Sequence, residues 1–323
     1  MKLDDQGIIS LDQKVDRYLP EIDTCNKGDL ILHDVLAHHA ALPGWIPFYE
    51  ATLDEENKKK VPSEKYYRET YSDSFCLEVN KDLFLRCDYQ DSIYSRLYAC
   101  GLREKNDYRY SDLGFYLFHQ IIHRMSGRRL DYFAEENFYQ NLGLQKTGFN
   151  PIKKFDQSMI VPSEDDKYFR NAVVQGYVHD MGAAMLGGVS GHAGLFSTAQ
   201  ELGIIMQMLM NGGTYGGEQY LDSYTVRKFT TRHPRSTRRG LGFDMKELNG
   251  NKTLNMSELA SPSTFGHLGF TGCAVFADPE TNLIYVFLSN RTFPSMNNSK
   301  FSKNEYRPRI QSVLYKALQD DIL

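Results

Sequence analysis

The sequence is poor in the features that announce a function directly. It has one tryptophan, no Cys-x-x-Cys pair, and no stretch that approaches a membrane span, which needs ~20 consecutive apolar residues. The cysteines at 25, 76, 87, 100 and 273 are odd in number and irregularly spaced. A zinc knuckle and a thioredoxin motif are thereby excluded, and the expectation is free, buried thiols. Residues 1–20 hold no uninterrupted apolar segment, so no secretory signal is expected there, and the compartment stays open. The formal net charge is only −4, with an isoelectric point near 6.2. That balance argues against nucleic acid or an anionic membrane as a general partner. No Gly/Ser-rich linker, internal repeat or low-complexity tract divides the chain.

What is present is enough for a substantial core. The 323 residues are 41% hydrophobic and 24% charged, a composition that suits one large domain or two modest ones. Leu30 to Ala37 reads as a helix with Asp29 as its N-cap, and the charge run Asp54 to Lys60 as a solvated helix or loop face. Leu113, Leu117, Phe118, Ile121, Ile122 and Met125 follow helical spacing up to Gly127. A further helix is expected over about Leu130 to Asn141. Another should start from the capping box Thr198-Ala199-Gln200-Glu201. The apolar runs Gly272–Ala277 and Leu283–Leu288 flank a turn of about five residues and predict a β-hairpin, with a shorter strand over Leu241 to Met245. Helical spacing returns from Asn304 to Leu318. The predicted fold class is α+β: one domain over 1–323, mostly helical over about 20–230, with strands and a closing helix over about 240–323.

Two short strings carry chemical interest. Tyr110-Ser111-Asp112 stands just before the Leu113 helix, where Ser111 or Asp112 could cap it and the helix dipole would favour a phenolate at Tyr110. His267-Leu268-Gly269, with Thr271 beyond, precedes the terminal hairpin. Strand alternation would put His267, Gly269 and Thr271 on one face, with a glycine that lets a substrate backbone lie along the strand edge. Taken alone, each string reads first as ordinary structure: a helix cap beside a packed aromatic, and a lone histidine near a strand.

Their order and intervening text are more specific. Gly7-Ile-Ile-Ser-Leu-Asp, Tyr18-Leu-Pro, Leu36-Ala-His-His-Ala-Ala-Leu-Pro43, Tyr110-Ser-Asp-Leu-Gly114, Gly191-His-Ala-Gly-Leu-Phe-Ser-Thr198 and Gly266-His-Leu-Gly-Phe-Thr-Gly272 together resemble the class C β-lactamase and D-alanyl-D-alanine carboxypeptidase type of penicillin-recognising serine hydrolase. The resemblance covers almost the whole chain. It is strongest to the β-lactamase-like module that follows a family 3 glycoside hydrolase in some bacterial proteins. It implies an antiparallel sheet flanked by helices, no cofactor, and a small-molecule or peptidoglycan-derived substrate such as a cell-wall peptide, β-lactam or ester. By the same resemblance Tyr110 is a base or proton relay and Asp112 a contact to substrate or lysine, where the family usually has Asn. His267, Gly269 and Thr271 form the substrate-edge strand, with His267 in place of the usual lysine. Ala41 stands where the family usually has glycine.

The family's first element, Ser-x-x-Lys, occurs nowhere in the 323 residues. By resemblance it precedes Met1, so the chain is expected to be amino-terminally truncated, to lack the nucleophile helix and first strands, and to be inactive by the family mechanism. Two rival expectations stay open: a non-catalytic remnant that binds muropeptides, and one half of a split enzyme completed by an N-terminal fragment. His119 and His123 share a helix face, but no third ligand accompanies them and no metal site is expected. His179, Asp180 and His192 sit in glycine-rich loops beside the cleft. Arg232, Arg235, Arg238 and Arg239 read as a solvated basic loop.

Overall fold

The computed structural model describes residues 1–105, 107–250 and 254–320. Positions 251–253 and 321–323 of the expected C-terminal unit lie outside the described residues. The terminal strands form a four-stranded antiparallel sheet in the order Asp244–Met245, Phe265–Leu268, Ala274–Asp278, Leu283–Phe287. Two-residue alternation sorts its side chains. Phe265, Val275 and Ala277 face the helix Ala199–Met210, with Met206 and Leu209. Ala274, Phe276 and Tyr285 face Tyr315 of the closing helix Tyr306–Asp320. The Asp278 carboxylate fixes the far end of the hairpin. It accepts from the Ser261 amide at 3.0 Å, the Ser261 hydroxyl at 2.6 Å and the Tyr315 hydroxyl at 2.6 Å.

The larger core gathers around the helix Leu113–Ser126, whose Leu113, Tyr116, Leu117 and Ile121 are buried against Val35, Ile93, Leu97 and Ala184. It ends at Gly127 with φ +67°, as the glycine at that position leads one to expect. The helix expected near 130–141 runs as an α-turn Leu130–Ala134 into a π-turn Glu135–Tyr139. At Thr198 only half of the capping box forms. The threonine hydroxyl accepts from the Glu201 amide at 3.3 Å, while the Glu201 carboxylate turns away to the amides of Gln145 and Lys146 and the hydroxyl of Thr147.

Several expectations are corrected. The region 20–230 is less helical than its composition suggests, because it carries small antiparallel sheets, including a three-stranded one from Tyr67–Arg68, Leu83–Arg86 and Phe75–Asn80. The charge run is a hairpin, Leu53–Glu56 with Lys59–Pro62, turning through Asn57 and Lys58 at φ +49° and +64°. Both central residues in the left-handed region make a turn whose twist matches the strands. The early helix covers only Leu32–Leu36. Asp29 does not cap it but pairs with Lys14 at 2.6 Å. Cys76 and Cys87 form a disulfide between neighbouring strand segments, so only Cys25, Cys100 and Cys273 are free thiols. No helix among the described residues is long and apolar enough to cross a membrane.

Gly266 leaves no room for a side chain in the terminal sheet: a Cβ there would lie 1.9 Å from the Val275 carbonyl oxygen and 2.7 Å from the Phe276 Cα. Neither backbone atom can swing aside. Gly266→Ala is therefore expected to lose stability at the upper end of the about 1–3 kcal/mol typical of overpacking, read as a lowered denaturant midpoint.

Candidate active site

The Leu113 helix begins where Ser111 pins the chain. The Ser111 hydroxyl donates to the Pro43 carbonyl at 2.6 Å and accepts from the Leu113 amide at 3.2 Å. Its own amide donates to His38 Nδ1 at 3.1 Å. Ser111, not Asp112, supplies the side-chain cap, and Asp112 makes no cap bond. The same clamp fixes Tyr110. Its ring lies 4.4 Å from the His38 ring and 6.0 Å from the His267 ring, and it is 41% exposed. The segment that supplies His38 takes an unusual path: His38 and Ala41 have φ of +60° and +54°. A left-handed backbone at 41 explains why glycine suits that position.

His267 lies within the strand Phe265–Leu268, one strand earlier than the two-strand hairpin expected from the sequence. The neighbouring strand Asp244–Met245 pairs only with Phe265 and Gly266, so the edge beyond, from His267, is left open on that side. Gly269 and Thr271 fall in the turn, where strand alternation no longer holds. The Gly269 amide donates to the Cys273 carbonyl at 2.8 Å, and the Thr271 hydroxyl sits 3.8 Å from Cys273 Sγ. The expectation that Thr271 shares the His267 face is thereby corrected.

Behind His267 stands a group that sequence reasoning assigned to solvent. Arg239 is fully buried, and its Nη1 donates to Asp244 Oδ1 at 2.6 Å. Arg238 reaches the same carboxylate at 3.2 Å. Both terminal nitrogens of Arg239 face His267 Nε2 at 3.5 Å, while His267 Nδ1 lies 2.7 Å from the Leu268 carbonyl. The Nδ1 contact requires a proton on Nδ1, so the lone pair of Nε2 faces the guanidinium. Burial lowers the His267 pKa further. His267 is thus a neutral ring, not a stand-in cation for the family's lysine. The positive charge belongs to Arg239, whose guanidinium is 5.8 Å from the Tyr110 ring centre. Burial likewise drives His38 down to about 2, so it is neutral too.

These surroundings do not favour a phenolate. Partial burial and the Asp112 charge push the Tyr110 phenol above its ordinary value, and Arg239 offsets this only in part. The expected help from the helix mouth is outweighed, so Tyr110 rests protonated. Asp112 shows the same balance, with burial raising its carboxyl to about 6 against the pull of His192. His192 itself is held at 2.8 Å by Asp180 and at 2.9 Å by Ser190, and it stacks on Tyr116 at 4.3 Å. His179 pairs with Glu164 at 2.7 Å and stacks on Phe270 at the turn after His267. His119 and His123 are engaged elsewhere, with the Tyr94 hydroxyl and the Arg128 carbonyl, beside a separate cavity of about 520 Å³ that Tyr110 and His267 do not line.

The structure therefore joins Tyr110 and His267 and adds His38, Arg239 and Asp244. For Arg239 and Asp244 the one available signal was a Gly-flanked arginine pair just ahead of a short strand. His38 lay in the quoted 36–43 segment without a role.

Asp112 carries a pH signature. Its folded-state pKa of about 6 lies above the ordinary 3.8, so the native state holds the proton more tightly than the unfolded chain. The residue therefore withdraws stability as pH rises through that window. Asp112→Asn should exceed the parent chain by about 1–2 kcal/mol at pH 8, with the gap closing near pH 4, as measured by urea unfolding across pH.

The family model described as Beta-lactamase matches residues 1–302. A Salmonella agona protein named "Putative D-alanyl-D-alanine carboxypeptidase" is 31% identical over 325 residues, covering 94% of this chain and 68% of that protein. Among solved structures, a penicillin-binding-protein homologue from Caulobacter crescentus aligns with a TM-score of 0.56 at 18% identity, covering 90% of this chain and 73% of the other. EstCE1, titled a hydrolase with promiscuous acyltransferase activity, aligns with a TM-score of 0.60 at 18% identity, covering 97% and 80%. The fold is that of β-lactamases and penicillin-binding proteins, and the chain belongs to the β-lactamase-like family of serine hydrolases.

Proposed function

We propose that these 323 residues form the substrate-holding walls of a β-lactamase-type hydrolase cleft that takes peptides ending in D-alanyl-D-alanine, with β-lactams and small esters as related ligands. The observation that carries this reading is the Tyr110 ring 6.0 Å from His267, with the buried Arg239 charge behind both. In this reading the protonated Tyr110 phenol is a donor that relays a proton to the leaving group, and becomes a base only after giving that proton up. Asp112, still largely ionised at neutral pH with its carboxyl raised only to about 6, receives a hydrogen bond from the substrate amide or from a lysine. The open edge from His267 to Gly269 lies along the substrate backbone, and the Arg239 charge favours its carboxylate through the neutral His267 ring.

The acyl-accepting hydroxyl and its lysine are not among these residues, since no Ser-x-x-Lys occurs in them. In this reading the 323-residue polypeptide binds without forming an acyl-enzyme, and acyl transfer requires a fragment that carries Ser-x-x-Lys. The test has two arms on the purified 323-residue polypeptide. Incubation with a fluorescent penicillin or a fluorophosphonate should leave the intact mass unchanged. Fluorescence anisotropy with a labelled acyl-D-alanyl-D-alanine peptide should show saturable binding that His267→Ala weakens by roughly tenfold, about 1.4 kcal/mol, through loss of the ring that links the Arg239 charge to the ligand. An adduct mapped to a serine of this polypeptide would overturn the division of labour. Absence of saturable binding would overturn the cleft itself.

A further inference from the structure

Three potential metal donors converge on the outer side of the Arg239 segment, drawn from two distant parts of the chain. His33 and Asp34 belong to the helix Leu32–Leu36, and His233 follows the helix Ser223–Thr230. Asp34 Oδ1 lies 3.5 Å from His33 Nδ1 and 3.6 Å from His233 Nε2, and the three donor atoms all fall within 4.8 Å of one another. The two distances to Asp34 are longer than an N–H···O bond, yet they are close to the edge of a tetrahedron around a zinc ion with bonds of about 2.0–2.1 Å, roughly 3.3 Å, and the two histidines need only a small approach to complete it.

The surroundings fit ligation better than an internal hydrogen-bond network. His33 Nδ1 is buried and has no hydrogen-bond partner, an expense that a buried polar atom seldom bears without a reason. The other nitrogen of His33 faces the exposed Asp12 carboxylate at 3.9 Å, beyond direct hydrogen-bond reach, so that carboxylate adds charge of the sign that favours a cation and not a fixed orientation. Arg235 approaches both oxygens of Asp34 at 3.1 Å, so one oxygen can bind a metal while the other keeps the guanidinium. The Arg235 amide donates to His233 Nδ1 at 3.4 Å, a long bond that ligation through Nε2 would exchange for the bond to the metal. His39, 4% exposed, packs on His233 at 5.6 Å with an Nε2 that likewise has no partner.

We propose that His33, Asp34 and His233 bind one divalent transition-metal ion of the zinc class, with a fourth position open to water or a further donor. The site would staple the cleft from behind. His33 and Asp34 precede His38, whose Nδ1 holds Ser111. The His233 amide donates to the Arg239 carbonyl at 2.7 Å. A bound ion thus ties the segment that clamps Tyr110 to the segment that backs His267, and it stabilises the folded chain by mass action.

The test uses the 323-residue polypeptide stripped with a chelator. Equilibrium dialysis against micromolar zinc, followed by elemental analysis, should find one ion per chain, and zinc should raise the thermal midpoint. His33→Ala combined with His233→Ala should lower the affinity by more than tenfold, whereas His119→Ala combined with His123→Ala should not. If the first double variant fails to fold, the parent chain loaded with cobalt decides. Nitrogen and oxygen ligation gives the visible bands of a low-symmetry ion without a sulfur-to-cobalt charge-transfer band. Failure to retain stoichiometric zinc would overturn the proposal, as would retention that survives loss of both histidines, or a thiolate band that implicates Cys25, Cys100 or Cys273.

Discussion

The Arg239 guanidinium has no solvent to fall back on. Fully buried, it depends on the Asp244 carboxylate at 2.6 Å, and a charge taken out of water is tolerated only when it is paired this closely. The site is arranged around that pair. Asp244 opens the short strand that pairs with Gly266, so the ion pair and the sheet register are set together. Arg239 also turns Nη1 and Nη2 toward His267 and its charge toward Tyr110. Removing Asp244 would leave the Arg239 charge buried and uncompensated, whereas removing Arg239 would leave Asp244 the more distant Arg238 at 3.2 Å.

The positive field of the cleft therefore comes from an unexpected position. In the resembled family a lysine on the third element carries it. In this chain the strand carries a neutral imidazole, with the charge one layer deeper on a neighbouring segment. Moving a cation away from solvent removes its freedom to reach for a ligand, but it strengthens its influence, because less water lies between it and the phenol. Asp112 and Tyr110 answer to the same low-dielectric surroundings: both are shifted toward their neutral forms. The resting site sets one protonated phenol among neutral imidazoles, which suits relay and hydrogen-bond donation better than immediate abstraction.

Local patterns were legible where a local cause suffices. The Leu113–Ser126 helix, its left-handed Gly127 and the terminal hairpin around Asp278 to Asn282 follow from apolar periodicity and turn chemistry. They were illegible where a distant partner decides. Glu201 has the right spacing to complete a capping box, yet the amides at 145 and 146 compete for its carboxylate. The acid–base run at 54–60 has no helical commitment of its own, so a two-residue turn at Asn57-Lys58 makes it a hairpin. Cys76 and Cys87 pair because adjacent strands bring them to 5.3 Å between Cα atoms, which an irregular cysteine count does not reveal.

By itself the sequence determined the α+β class from contiguous apolar patterns and turn residues, and, through its resemblance to a known family, the two strings whose rings meet at Tyr110 and His267. Only the tertiary structure decided where the charge lies, which residue caps the helix, and the neutrality of His267 and His38. Those are properties of the environment. Burial and the approach of Arg239, Asp244 and Ser111 set them, and no spacing along the chain records how much water remains around a side chain once it is folded.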